Sequence, residues 1–174
     1  ATLIQKARVY PYQLMVAYQT AVNGIPREVR DALQDAMELA TENVPAMNKK
    51  IYVCPDVSGS MSSPVTGYRK GSSSAVRCID VAALITACIM RKNTDAEVLP
   101  FENSVVGIDL NIRDSIMTNA QKLAAIGGGG TNCSAPLRIL NKEKAKGDLI
   151  LLISDNQSWV DDRRSGATEL MREW

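Results

Sequence analysis

The stretch "KKIYVCPDVSGSM", residues 49–61, decides the fold of this chain. Its first half is a short apolar run with the length and content of a buried strand. Its second half carries a carboxylate and two hydroxyls on alternate positions, at Asp56, Ser58 and Ser60. An extended backbone aims these three side chains the same way, and Gly59 lets the chain bend between the two serines. The stretch therefore predicts a buried strand that ends in a polar binding loop.

From residue 49 onward, strand-like and helix-like segments alternate. This alternation is typical of an α/β fold with an open, mostly parallel sheet and helices on both faces. Three further strands are predicted in "AEVLPF", "VVGIDL" and "DLILLISD". Because only "ENS" separates the second strand from the third, we expect that pair to be antiparallel, at an edge. The predicted helices are "SSSAVRCIDVAALITACIMRKN", "NIRDSIMTNAQKLAAI" and, after a serine cap, "SAPLRILNKEKAK".

Residues 1–48 predict a helical segment that precedes the α/β domain of residues 49–174. "PYQLMVAYQTAV" begins with a proline suited to a first helical turn. The next helix has an apolar face with 3.6-residue spacing. Two amphipathic helices cannot bury their stripes alone, so we expect them to dock on the rest of the chain or on other helices. The apolar face comprises Val29, Leu33, Ala36, Met37, Ala40 and Val44.

Polar oxygens are predicted to gather where the parallel strands end. Thr131 follows four glycines, and Asp155 ends the last apolar run. Ligands bind outside the carboxyl ends of the strands in such sheets. An all-oxygen set selects a hard cation, Mg²⁺ first, with Mn²⁺ or Ca²⁺ as alternatives. We expect Ser58 and Ser60 to coordinate directly, Asp56 and Asp155 to act largely through water, and Thr131 either to bind directly or to step back. Such a site leaves a Lewis-acidic position open to a partner's carboxylate.

Composition excludes several classes of function. The 174 residues contain no histidine, which removes histidine-based catalysis and histidine metal sites. The formal net charge of +1 indicates no global attraction to nucleic acid or to a membrane. The four cysteines lack the spacing of a zinc framework, and no signal peptide is evident. We therefore expect a cytoplasmic protein with reduced thiols and no membrane contact.

A possible partner surface lies near the predicted metal site. Trp159 follows Asp155 closely, and Arg69 and Lys70 lie in a loop on the same side. These basic residues are either a solvated face or contacts for phosphates. Trp159 either packs on the rim of the domain or faces a partner.

The set Asp56, Ser58, Ser60, Thr131 and Asp155 resembles the metal-ion-dependent adhesion site of von Willebrand factor A domains. "GGGGTNCSAPL" and "ISDNQSW" narrow this resemblance to the Ro autoantigen family, the TROVE proteins, and particularly their bacterial members. In these proteins a ring of helical repeats precedes the A domain, and "YPYQLMVAYQTA" and "IPREV" resemble the last helices of that ring. The resemblance covers essentially the whole chain, but only the end of the ring.

The resemblance implies a binding protein that is not an enzyme. It implies Mg²⁺, an acidic protein ligand at the metal site, and binding of Y RNA and misfolded RNA through the ring. Because most of the ring lies outside this sequence, we expect low RNA affinity from this chain alone. Two departures from the pattern stand out: Pro55 removes a ladder donor before Asp56, and A domains have two more strands after the last one here. We expect a local irregularity at Pro55. We also expect either a native protein that continues, which we favour, or another chain that completes the sheet.

Two other functions stay open at this point. A magnesium-dependent phosphohydrolase would need a base or nucleophile near the metal, and Asp56 and Asp155 are the only candidates. An extracellular adhesion A domain would need disulfides and a secretion signal.

Overall fold

The computed structural model describes residues 3–21, 24–67, 76–155, 172 and 174. Within these residues, a three-stranded parallel sheet has the strand order β2-β1-β3, with β1 in the centre. The predicted open parallel α/β fold is confirmed. The strands are β1 (Ile51–Pro55), β2 (Glu97–Val98) and β3 (Leu149–Ile153); the helices are α1 (Leu3–Lys6), α2 (Pro11–Ala21), α3 (Arg27–Ala40), α4 (Cys78–Lys92), α5 (Ile116–Ala124) and α6 (Ser134–Lys142).

The central strand β1 is buried along its whole length, and its side chains alternate between two apolar layers. Ile51 and Val53 pack with Ile89 of α4. Tyr52 and Cys54 face the opposite way and form a second cluster with residues of α6. This two-residue period explains why the run "IYVCP" is apolar throughout, because both faces of the strand are covered by helices.

The helical segment packs into the same core as the α/β domain. Met15 of α2 and Met37 of α3 are 1% and 0% exposed, and they share one cluster with Leu84 of α4 and Leu123 of α5. The Glu38 carboxylate accepts a hydrogen bond of 2.7 Å from the backbone N–H of Ile116, the first residue of α5. The apolar stripe of α3 therefore docks on the rest of the chain.

Two predictions at the sheet are wrong. "VVGIDL" is not a strand: an antiparallel bridge from Val105 to Phe101 is the one bridge that residues 105–110 form. The predicted direction is right, but Val105 and Val106 are only half-buried and Gly107 offers no side chain to pack, so the pairing stops. Pro55 causes no irregularity, since it pairs in register with Ile153 and its carbonyl accepts from the Phe101 N–H at 3.0 Å.

The helix boundaries also differ from the predicted ones. Ser134 is the first residue of α6 and not its cap; the Asn132 side chain accepts from the Ser134 N–H at 3.1 Å instead. The sequence predicted that this helix continues through "NKEKAK", but α6 ends at Lys142. Lys144 has a φ of 50°, outside the helical region. Arg69, Lys70 and Trp159, the predicted partner surface, lie outside the described residues. Among the helices described, none has the length and apolarity needed to cross a membrane.

Candidate metal centre

Asp56 is held rigidly at the carboxyl end of β1. It is 0% exposed, and its backbone N–H donates to the Ile153 carbonyl of β3 at 2.9 Å. One carboxylate oxygen accepts from the Ser58 N–H at 2.9 Å, and the other accepts from the Ser154 hydroxyl at 2.7 Å. These bonds orient the carboxylate and turn the chain so that Ser58 points back over the end of the sheet.

Three hydroxyls from two distant parts of the sequence meet beside this carboxylate. The Thr131 hydroxyl donates to the Ser58 hydroxyl at 2.8 Å, and the Ser58 and Ser60 hydroxyls are 3.1 Å apart. Ser58 and Thr131 are 0% and 1% exposed, whereas Ser60 is half-buried and Gly59 is exposed. The cluster is therefore closed on the sheet side and opens toward solvent at Gly59 and Ser60.

The glycine loop before Thr131 is fastened to the serine loop by backbone hydrogen bonds. The Gly59 N–H donates to the Gly129 carbonyl at 3.2 Å, and the Gly128 N–H donates to the Val57 carbonyl at 3.2 Å. Gly128 and Gly129 have φ values of 142° and 68°, in a region that side chains other than glycine rarely adopt. Gly128 and Gly129 thus allow the loop conformation in which Thr131 reaches Ser58.

Asp155 lies two residues beyond the end of β3, directly after the serine that bonds Asp56. It lines an open pocket of about 180 Å³ together with Cys78. Burial and, next, the negative charge of Asp155 raise the pKa of the Cys78 thiol above its ordinary value. Hydrogen bonds thus link Asp56, Ser58, Ser60 and Thr131 in one chain. Asp155 is tied to this group through its neighbour Ser154, which bonds Asp56.

Three residues near the cluster were missed from the sequence. Ser154 orients Asp56, and its place next to Asp155 in "ISDN" was the available signal. The Asn132 side chain accepts from the N–H of Ser134, the first residue of α6, and also donates to the Asn103 carbonyl at 3.1 Å. Glu102 follows the Asp56–Phe101 bridge, and its carbonyl accepts from the Asn132 N–H at 2.8 Å. Nothing in the local sequence pattern marks these last two, because their roles depend on contacts between distant loops.

The residues present fit a hard divalent cation. Adjacent ligands of an octahedral Mg²⁺ at ~2.1 Å lie about 3.0 Å apart, and the hydroxyl pairs are separated by 2.8 and 3.1 Å. Within the described part of the chain, no three side chains from histidine, cysteine, aspartate or glutamate cluster so as to hold a metal. The donor set is therefore based on hydroxyls, with a buried carboxylate behind them.

Comparisons with known proteins identify the family to which the chain is similar. A family profile described as the "Ro60 vWA domain" matches residues 50–171. "RNA-binding protein RO60" of Deinococcus radiodurans is 27% identical over 168 residues, covering 90% of this chain and 31% of that protein. The protein of the same name from Caenorhabditis elegans is 21% identical over 169 residues, covering 91% of this chain and 25% of that protein.

A solved structure has the same fold. The crystal structure of the Deinococcus radiodurans RO (RSR) protein matches with a TM-score of 0.74 and 23% sequence identity, covering 98% of this chain and 35% of that one. The chain thus spans about a third or less of the length of the relatives it matches.

Proposed function

The chain belongs to the Ro60 vWA domain family, and from this premise we propose that it is a divalent-cation-dependent binding module of a Ro-like ribonucleoprotein. Asp56, Ser58, Ser60, Thr131 and Asp155 would hold the cation, with Mg²⁺ first and Mn²⁺ or Ca²⁺ as alternatives. The observation that carries the proposal is the convergence of the Ser58, Ser60 and Thr131 hydroxyls, at 2.8 and 3.1 Å, beside a fully buried carboxylate.

The ligand we propose is an acidic side chain of a protein partner. A cation held mostly by neutral hydroxyls keeps much of its positive charge and supplies a Lewis-acidic position for an incoming carboxylate. Ser60 and Gly59, on the solvent side of the cluster, leave room for that approach. Ser58 and Thr131, buried and bonded to each other, fix the hydroxyls before any ligand arrives, which lowers the ordering cost of binding.

The hydrogen bonds of the Asp56 carboxylate support binding rather than catalysis. Both oxygens of Asp56 accept hydrogen bonds, so Asp56 is poorly placed to take a proton from a substrate. The chain also contains no histidine that could do so. Turnover of a generic phosphoester that disappears in Asp56→Ala would contradict this part of the proposal.

RNA binding is proposed for the protein that contains this domain. Two relatives carry the name "RNA-binding protein RO60", and we extend that property, with non-coding RNA as the partner, to this protein. We place the protein in the cytoplasm, where the Cys54 and Cys88 thiols, whose pKa burial raises to about 12, stay protonated and reduced. A gel-shift titration of the full-length protein with a structured non-coding RNA tests the assignment, and the absence of any competitor-resistant complex would contradict it.

The metal proposal is tested by isothermal titration of Mg²⁺ into the wild type, Ser58→Ala and Ser62→Ala. Ser62 is an exposed hydroxyl of the same loop and serves as the matched control. We expect binding in the wild type and the control, and at least about tenfold weaker binding in Ser58→Ala, since a direct ligand is lost. Equal binding in all three proteins would contradict the assignment.

The ligand proposal is tested with a fluorescent peptide that carries one glutamate and a counterpart that carries glutamine. Fluorescence anisotropy should rise with the glutamate peptide in Mg²⁺ and fall back when EDTA is added. If both peptides bind alike, or if EDTA changes nothing, the cation is not the acceptor of the ligand.

A further inference from the structure

A third carboxylate lies on the loops that form the hydroxyl cluster. Glu102 directly follows Phe101, which bridges to Asp56 at the end of β1. The Glu102 carbonyl accepts from the backbone N–H of Asn132, the residue after Thr131, at 2.8 Å. The backbone of Glu102 is therefore fixed to both loops that carry the predicted ligands.

The side chain of Glu102 lies over the glycine loop. A Cβ atom added to Gly129 would overlap the Glu102 carboxylate, so the end of the Glu102 side chain lies directly against this glycine. The same carboxylate accepts from the Asn103 amide at 3.0 Å. The Gly129 carbonyl in turn accepts from the N–H of Gly59, the residue between the two serines. The Glu102 carboxylate thus lies against Gly129, the residue whose carbonyl is bonded to the N–H of Gly59 between the two serines.

We propose that Glu102 is a further carboxylate of the cation site, acting through a bridging water. The inference rests on the proposed function, because it needs the hydroxyl cluster to hold a divalent cation. Asp56 is fully buried and already bonded twice, whereas Glu102 is half-buried at the open side of the cluster. Its negative charge strengthens cation binding and opposes an incoming acid. Glu102 therefore controls how strongly the cation attracts an acidic partner.

The first test compares Mg²⁺ binding by calorimetry in the wild type, Glu102→Gln and Asp109→Asn. Glutamine keeps the shape of the side chain and can still accept from Asn103. Asp109 is an exposed acid on the same connection to α5 and controls for loss of a surface charge. We expect Glu102→Gln to bind Mg²⁺ about fivefold to tenfold more weakly and Asp109→Asn to stay within about twofold of the wild type.

The outcomes separate the two proposals. If the wild type binds Mg²⁺ and Glu102→Gln binds equally well, the role of Glu102 is refuted and the cation site stands. If the wild type itself does not bind Mg²⁺, both proposals fail.

A second measurement needs no charge-removing variant. In wild-type protein labelled with ¹³C at the glutamate carboxyl carbons, sub-stoichiometric Mn²⁺ should broaden the Glu102 resonance strongly and that of Glu143, after α6, little. The Glu102 resonance is assigned from its disappearance in Glu102→Asp. Equal broadening of the two resonances would place Glu102 away from the cation and overturn the inference.

Discussion

Replacing Met37 with alanine tests whether the helical segment and the α/β domain share one core. Met37 lies on α3, is 0% exposed, and clusters with residues of α4 and α5. The substitution removes about three methylene equivalents at ~0.8 kcal/mol each, and incomplete closure of the cavity adds about 1 kcal/mol. We therefore expect the free energy of unfolding to fall by about 3 kcal/mol.

The assay is urea denaturation followed by far-ultraviolet circular dichroism, with Leu39→Ala as the control. Leu39 lies on the same helix but is 40% exposed, so its loss should cost about 1 kcal/mol or less. Both proteins should unfold in one transition, since the helical segment contributes to the common core. A cost below about 1 kcal/mol for Met37→Ala, or a separate early transition of the helices, would refute this reasoning.

The remaining predictions concern an interdomain contact, two thiols and the site. Glu38→Ala removes the hydrogen bond to the first N–H of α5 and should lower the free energy of unfolding by about 1–2 kcal/mol in a thermal melt. The control is Glu42→Ala: the Glu42 side chain is 56% exposed in its ion pair, so its loss should cost less than about 0.5 kcal/mol. Equal costs would contradict the capping role of Glu38. Burial raises the pKa of Cys54 and Cys88 from 9.0 to about 12. The contribution of these neutral thiols to the free energy of unfolding is therefore complete below pH 9 and is lost as pH rises toward 12. Between pH 9 and pH 12 each thiol should lower the free energy of unfolding by about 1.4 kcal/mol per pH unit. Chemical denaturation of the double variant Cys54→Ala/Cys88→Ala should lack this pH dependence, and an unchanged slope would contradict the prediction. Ser154→Ala removes a donor to the buried carboxylate and should cost about 1–3 kcal/mol in urea unfolding; a neutral effect would show that the bond does not orient the site.

The sequence predicted the parts of the fold that depend on local patterns. The apolar run 51–55, the position of Pro11 at the start of α2 and the apolar face around Met37 were all readable from periodicity. "VVGIDL" was misread as a strand because alternation and β-branched residues say nothing about whether a covering layer exists for that face. Whether the segment that begins at Val105 pairs as a strand depends on tertiary burial, which a local sequence pattern does not show.

The candidate site was partly readable for the same reason. Asp56, Ser58 and Ser60 follow a recognisable strand, and the glycine run before Thr131 is a clear local signal. Glu102 could not be identified in this way, because it contacts the site through Gly129, which lies 27 residues further along the chain. Such contacts between loops appear only once the sheet has placed them.

The most direct test of the central claim is anomalous diffraction from crystals of this protein soaked in Mn²⁺. We predict a peak bonded to the Ser58 and Ser60 hydroxyls at about 2.2 Å, with Thr131 beside it. A crystal with Mn²⁺ bound elsewhere, and with no anomalous density between these hydroxyls, would contradict the account.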